Sequence, residues 1–245
     1  MSVLNENDLT RNPLGFIIIA SVRSGGTLLA HSLDSHPLIS CMRGEPLHAK
    51  SEWAAIGRIN ALQLLRNFTG YLASGFKIQN DQLSYPTILP YIKRNKLKII
   101  RITRENLLMQ AVSLTINRHT RRLKNGLNIP QHSFDQVEQV PFTLPTKDVL
   151  HACKILRESD IQVTKKLTEY NLKSYNLTYE QITLGQIRIQ EIPTLIAKNL
   201  CDLLKVPYSP LQNFLQRINW KPYSKVINNW KEIKSVYEEY ICQIT

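Results

Sequence analysis

What the chain lacks narrows it first. It has four cysteines in 245 residues, at 41, 153, 201 and 242, with no CxxC pair and no framework of close spacings. That excludes a disulfide-stapled secreted domain and predicts free thiols in a reducing compartment. No Cys/His cluster has the spacing of zinc ligands, so no metal is expected. Long apolar runs are missing as well. The longest, Leu14–Ala20, falls far short of the roughly 20 residues a membrane helix needs. The opening MSVLNENDLTRNP has no basic stretch followed by an apolar one, so no signal peptide is expected and the chain reads as cytoplasmic. There is no internal repeat, no low-complexity tract and no Gly/Ser linker, which predicts one domain over residues 1–245.

Acidic residues are scarce. Nineteen Asp+Glu stand against 31 Lys+Arg, a net charge of +12. Such an excess implies an anionic partner: nucleic acid, a membrane surface, a nucleotide or a charged glycan. Nucleic acid is disfavoured, because helix-turn-helix, RNP and zinc signatures are absent and the aromatics are not interleaved with a basic stripe. Nothing in the sequence codes for an oligomeric state.

What is present is an alternation of short apolar runs with helical stretches. Gly15 to Ser21 is a continuous apolar run, the mark of a strand buried on both faces. Further strands are expected at Gly75 to Gln79, Leu97 to Thr103 and Ser174 to Tyr179. Helices are expected at Thr27 to Ser35, Ser51 to Phe68, Pro86 to Asn95, Glu105 to Arg121, Thr146 to Tyr170, Ile192 to Lys205 and Asn228 to Cys242. Lys124 to Pro145 reads as a long irregular loop. The predicted fold class is α/β, a mostly parallel central sheet flanked by helices. Ligands in such sheets sit beyond the carboxyl ends of the strands.

The first such end reads Val22-Arg23-Ser24-Gly25-Gly26-Thr27 and leads into a helix. Two glycines let the backbone turn sharply and approach a ligand. The helix start offers unpaired N–H groups and the positive end of a dipole, which suits a phosphate or sulfate. Ser24 and Thr27 add hydroxyls, and Arg23 adds a fixed charge. The loop is not a Walker P-loop, because Gly26 stands where GxxxxGK(S/T) requires Lys. It is not GxGxxG either, and a Gly-rich turn that binds nothing remains the plain alternative.

The stretch from Phe16 to His48 resembles the opening of sulfotransferases that use 3′-phosphoadenosine 5′-phosphosulfate (PAPS). Their 5′-phosphosulfate loop runs Pro or Arg, Lys or Arg, Ser, Gly, then two Ser or Thr. Arg23, Ser24, Gly25 and Thr27 match that pattern, whereas Val22 and Gly26 depart from it. A second block, LKIIRITRENLLMQAVSL, resembles the family's 3′-phosphate site, an Arg at a strand end and a Ser in the next helix. Here these are Arg104 and Ser113, and the spacing Arg104, Asn106, Gln110, Ser113 resembles the bacterial nodulation-factor and trehalose branch. Leu177 to Ile182 resembles the family's YE-x-L segment, and Lys225 to Glu239 its I-x-N-W/Y-x-E ending. The Arg-Lys-Gly segment of the cytosolic animal enzymes is absent.

The resemblance implies a PAPS-dependent sulfotransferase with a P-loop-like fold that releases PAP, the desulfated product. Arg23, Ser24, Gly25, Gly26, Thr27 and Leu28 would hold the 5′-phosphosulfate, and Arg104 and Ser113 the 3′-phosphate. Glu45, in Arg43-Gly44-Glu45-Pro46, is the candidate general base, with Arg23 and Lys77 as assisting cations. The implied acceptor is a hydroxyl of a carbohydrate or glycolipid. Glu45 could instead be a solvent-exposed carboxylate or pair with Arg43, and His48 and His36 are the alternative bases, with a substrate contact for His48 and a structural turn for His36 before Pro37 also open. A nucleotide kinase and a basic nucleic-acid-binding protein stay open as functions. His119 is expected to meet the terminal carbonyls of its own helix. Arg118, Arg121, Arg122 and Lys124 read first as a solvated helix end, with contact to the 3′-phosphate or to an anionic glycan as the alternative.

Overall fold

The protein is described here from a computed structural model, over residues 13–42, 47, 70–124, 141–184, 190–213 and 222–243, without the side chains of 120–124. The predicted helix at 51–68, Glu45, His48 and most of the 124–145 loop lie outside the described residues. The chain falls into two compact units. One comprises Met1–Glu105 and Ser159–Leu215, the other Asn106–Glu158 and Gln216–Thr245.

The first unit is built on five parallel strands: β1 (Leu14–Ala20), β2 (Ile39–Met42), β3 (Ala73–Gln79), β4 (Lys98–Thr103) and β5 (Ser174–Thr178). Their order is β2-β3-β1-β4-β5. The central position of β1 explains its composition. With β3 on one side and β4 on the other, every residue from Phe16 to Ala20 is buried. Only an unbroken apolar run suits a strand covered on both faces.

Helices cover both faces. On one, α1 (Gly26–Asp34) and α6 (Thr194–Leu204) pack Leu29, Leu33, Ala197 and Leu200 against Phe16, Ile18 and Ile100. On the other, α2 (Ile88–Arg94) and the last turns of α4 (Thr146–Glu169) pack Ile88, Ile92, Val163 and Leu167 against Ile17, Ile19 and Phe76. The connection from β1 runs over the first face towards β2, and those from β3 and β4 run over the second. The direction of winding changes between β1 and β4, and the crevice of a doubly wound sheet opens at that point.

One close approach needs glycine. A Cβ on Gly75 would lie 2.5 Å from the Phe16 carbonyl oxygen and as close to its ring.

The second unit contains α3 (Leu107–Lys124), the first part of α4, α7 (Tyr223–Val226) and α8 (Trp230–Cys242). Asn106 caps α3 by accepting from the Met109 N–H at 3.0 Å. Asn229 clasps the entry to α4: its Nδ2 donates to the Leu144 carbonyl at 2.8 Å and its Oδ1 accepts from the Leu144 N–H at 3.2 Å. Thr146 donates its hydroxyl to Glu232. The I-x-N-W-x-E tail, here Ile227 to Glu232, has a local physical role, because it binds the 142–146 segment side chain by side chain and through the Phe142–Ile227 bridge. The remaining short helix, α5 (Tyr179–Thr183), follows β5 in the first unit.

No helix among the described residues is long and apolar enough to cross a membrane.

Candidate functional site

The loop after β1 is a tight turn. The Ser24 N–H and hydroxyl both reach the Ser21 carbonyl, at 3.2 and 2.7 Å. Arg23 takes φ 62 and Gly25 φ 89, both in the left-handed region. This costs Gly25 nothing and strains Arg23. The turn leaves Arg23 and Thr27 exposed and Ser24 fully buried. The Ser24 hydroxyl thus spends its proton inside the turn, and the side chains presented outward are those of Arg23 and Thr27. The first i→i−4 bond of α1 is made by the Leu29 N–H to Gly25 O at 3.0 Å. The N–H groups of Gly26, Thr27 and Leu28 precede it, so they have no acceptor one turn back within the helix.

Gly26 has a packing cause. A Cβ there would lie 2.5 Å from the Ala20 Cβ and 3.0 Å from the Lys77 Cδ. The Lys77 stem runs from β3 beneath Gly26, and its Nζ donates to the Thr27 Oγ1 at 2.9 Å. Lys77 is only 7% exposed. A buried ammonium is costly unless it is hydrogen-bonded, and Thr27 meets part of that need. The loop gives up a side chain at position 26, and a lysine from the neighbouring strand reaches the start of α1. A Walker loop supplies its lysine from within the loop itself.

Arg104 follows β4, on the other side of the crevice. Its Nη1 donates to the Arg23 carbonyl at 3.3 Å, tying the two strand ends together. The guanidinium lies over the Tyr179 ring, 4.5 Å from the centroid. Its Nε is 3.8 Å from Glu180 Oε1. Tyr179 also sits against the first loop, because a Cβ on Gly25 would come within 2.6 Å of its ring. Tyr179 and Glu180 open α5, which is held by a capping box. Gln181 N–H donates to Thr178 Oγ1 at 3.2 Å, and Thr178 N–H to Gln181 Oε1 at 2.9 Å. Arg23, Gly25, Arg104, Tyr179 and Glu180 therefore form one cluster at the carboxyl edge of β1, β4 and β5.

The sequence had offered Tyr179 and Glu180 only as part of a matching segment, with no role. The usable signal was Thr178-x-x-Gln181 directly after a strand, which fixes a helix start at the ligand-facing edge. Ser113 lies two turns into α3, in the second unit, and is 5% exposed. It lies in a stretch, Gln110 to Thr115, that is buried without a break.

The histidines sort clearly. His36 is buried; its Nδ1 accepts from the Leu38 N–H at 3.0 Å and its Nε2 lies 2.9 Å from the Pro207 carbonyl. Those partners require a neutral ring with the proton on Nε2. Burial lowers its pKa, and the Pro207 bond opposes that shift without cancelling it. His36 is the structural turn residue. His119 departs from expectation: its Nε2 meets Asp148 Oδ2 on α4 at 3.2 Å instead of its own helix's carbonyls. Cys41, Cys153 and Cys201 are buried thiols whose pKa values burial pushes up, that of Cys153 to about 12.

These features concentrate positive charge at one sheet edge, which suits an anion. Compared with known proteins, the chain matches no protein-family model and no curated protein.

Proposed function

We propose that the protein is a PAPS-dependent sulfotransferase that passes a sulfuryl group to a hydroxyl of a carbohydrate or glycolipid. One observation carries this reading. The Arg23 loop and Arg104, which the sequence resemblance assigns to opposite ends of one sulfonucleotide, lie at the same sheet edge and are joined by the 3.3 Å Arg104–Arg23 bond. The cradle supports it, since a Cβ at Gly25 or Gly26 would collide with its neighbours.

In this reading the donor supplies an activated S–O bond, and the chain's own residues bind, orient and neutralise. The α1 amides, Arg23 and Thr27 would hold the 5′-phosphosulfate. Arg104 would hold the 3′-phosphate, a group to which the sequence resemblance also assigns Ser113. Lys77 would place a buried positive charge beside Thr27, where negative charge accumulates as the bond breaks. Glu45 would take the acceptor proton, a contribution of about 10²- to 10⁴-fold. As in phosphoryl transfer, positioning and electrostatics carry most of the barrier reduction.

Calorimetry with PAP tests the reading. Wild type should bind PAP, and Arg104→Ala should lose about 10- to 100-fold in affinity, the worth of a charged hydrogen-bonded contact. Folded wild type that binds no PAP, or that binds ATP in preference, overturns it. If PAP binds, Glu45→Gln should abolish transfer while leaving PAP affinity nearly intact.

A further inference from the structure

We propose that Glu180 is a positioning residue for Arg104, holding its guanidinium at the anion crevice. Its two carboxylate oxygens divide the task. Oε2 accepts the Glu105 N–H at 2.9 Å, and Oε1 lies 3.8 Å from Arg104 Nε. The carboxylate therefore hydrogen-bonds the turn that leaves β4 and lies in ion-pair range of the side chain that projects from it, whose buried Nε it faces without a hydrogen bond. It is itself fixed, because the Thr178–Gln181 capping box anchors the first turn of α5.

The placement is otherwise paradoxical. A carboxylate beside an anion-binding arginine repels the anion, so its presence requires a compensating gain. That gain is preorganisation. A free arginine has considerable rotamer entropy to lose on binding, and a guanidinium already held by a carboxylate and a ring face loses less. With the Arg104 side chain only 8% exposed, the negative partner also offsets the cost of burying its charge. The Tyr179 ring closes the remaining face at 4.5 Å.

The ligand side of the inference rests on the sulfonucleotide reading, and the experiment separates the two. In ligand-free protein, the Arg104 Nε–H resonance should shift and exchange faster in Glu180→Ala, while that of Arg101 stays in place. Affinities are then compared for PAP and for adenosine 5′-phosphate, which lacks the 3′-phosphate. Glu180→Ala should weaken PAP about tenfold and adenosine 5′-phosphate less than about twofold, because the loss acts through one arginine. Glu180→Gln keeps an acceptor for the Glu105 N–H but removes the charge beside Arg104, and should restore the PAP affinity only in part. An unmoved Arg104 resonance, or equal losses for both nucleotides, overturns the positioning role. A moved resonance in a protein that binds no PAP sustains the positioning role and overturns the sulfonucleotide reading.

Discussion

Arg23 stands where a tight turn ordinarily takes glycine. Its φ of 62 costs on the order of 1 kcal/mol in strain. That cost has a purpose if the side chain must project from the anion loop. Asparagine tolerates the left-handed region, so Arg23→Asn should keep its unfolding free energy within about 0.5 kcal/mol of wild type, measured by denaturant titration. PAP affinity in the same variant should fall at least about tenfold, as expected for a lost charged contact. Position 26 carries the opposite expectation. Gly26→Ser restores the hydroxyl of the sulfotransferase pattern, yet its Cβ would lie 2.5 Å from Ala20 and 3.0 Å from Lys77. Denaturant unfolding should show a loss of about 1–3 kcal/mol, typical of an overpacked site. The departure at 26 is thus tied to Lys77.

At the scale of elements, the α4 entry depends on the tail. Asn229→Ala removes two bonds to Leu144 and strands its N–H and carbonyl, so a loss of about 1–3 kcal/mol is expected. Amide exchange at Leu144 should accelerate more than at core amides of β1. Elements with a strong period or an unbroken apolar run were legible in the sequence. The strands β1, β3, β4 and β5 lie within two residues of their expected bounds, because burial on both faces leaves few compositions open. The strand β2 was not legible; Ile39–Met42 is only four residues long and alternate positions are partly exposed, so it forms no continuous apolar run. In the candidate site, the positions legible in the sequence were those directly after a strand, Arg23 and Arg104, which the fold brings together. The Glu180 contact was not legible, because it depends on β5 lying next to β4, and strand order is a property of the whole sheet. The Lys77–Thr27 bond was hidden for a similar reason. It requires β3 beside β1, which the chain order does not state.

For the molecule as a whole, buried titrating groups bound the range of pH in which it is stable. His36 has its folded pKa lowered from 6.5, so below that pH the unfolded chain takes the proton first and stability falls with further acidification. Cys153 has its folded pKa raised from 9.0 to about 12, so above pH 9 the unfolded chain loses the proton first and stability falls again. Thermal unfolding should show a plateau between these limits, and His36→Gln should flatten the acid side. The same burial predicts that iodoacetamide labels exposed Cys242 in native protein and reaches Cys41, Cys153 and Cys201 only on unfolding.

The sheet order has a further consequence for how the chain is made. Synthesis delivers β1 first, yet its two neighbours are β3 and β4, which come later. The most apolar strand therefore leaves the ribosome before either partner exists. Until Ala73 and then Lys98 emerge, Leu14–Ala20 is an uncovered edge on both sides, the kind of segment that captures other chains. The strand that becomes the best-protected part of the native protein is the most vulnerable part of the nascent one, and the natural client for a chaperone during synthesis.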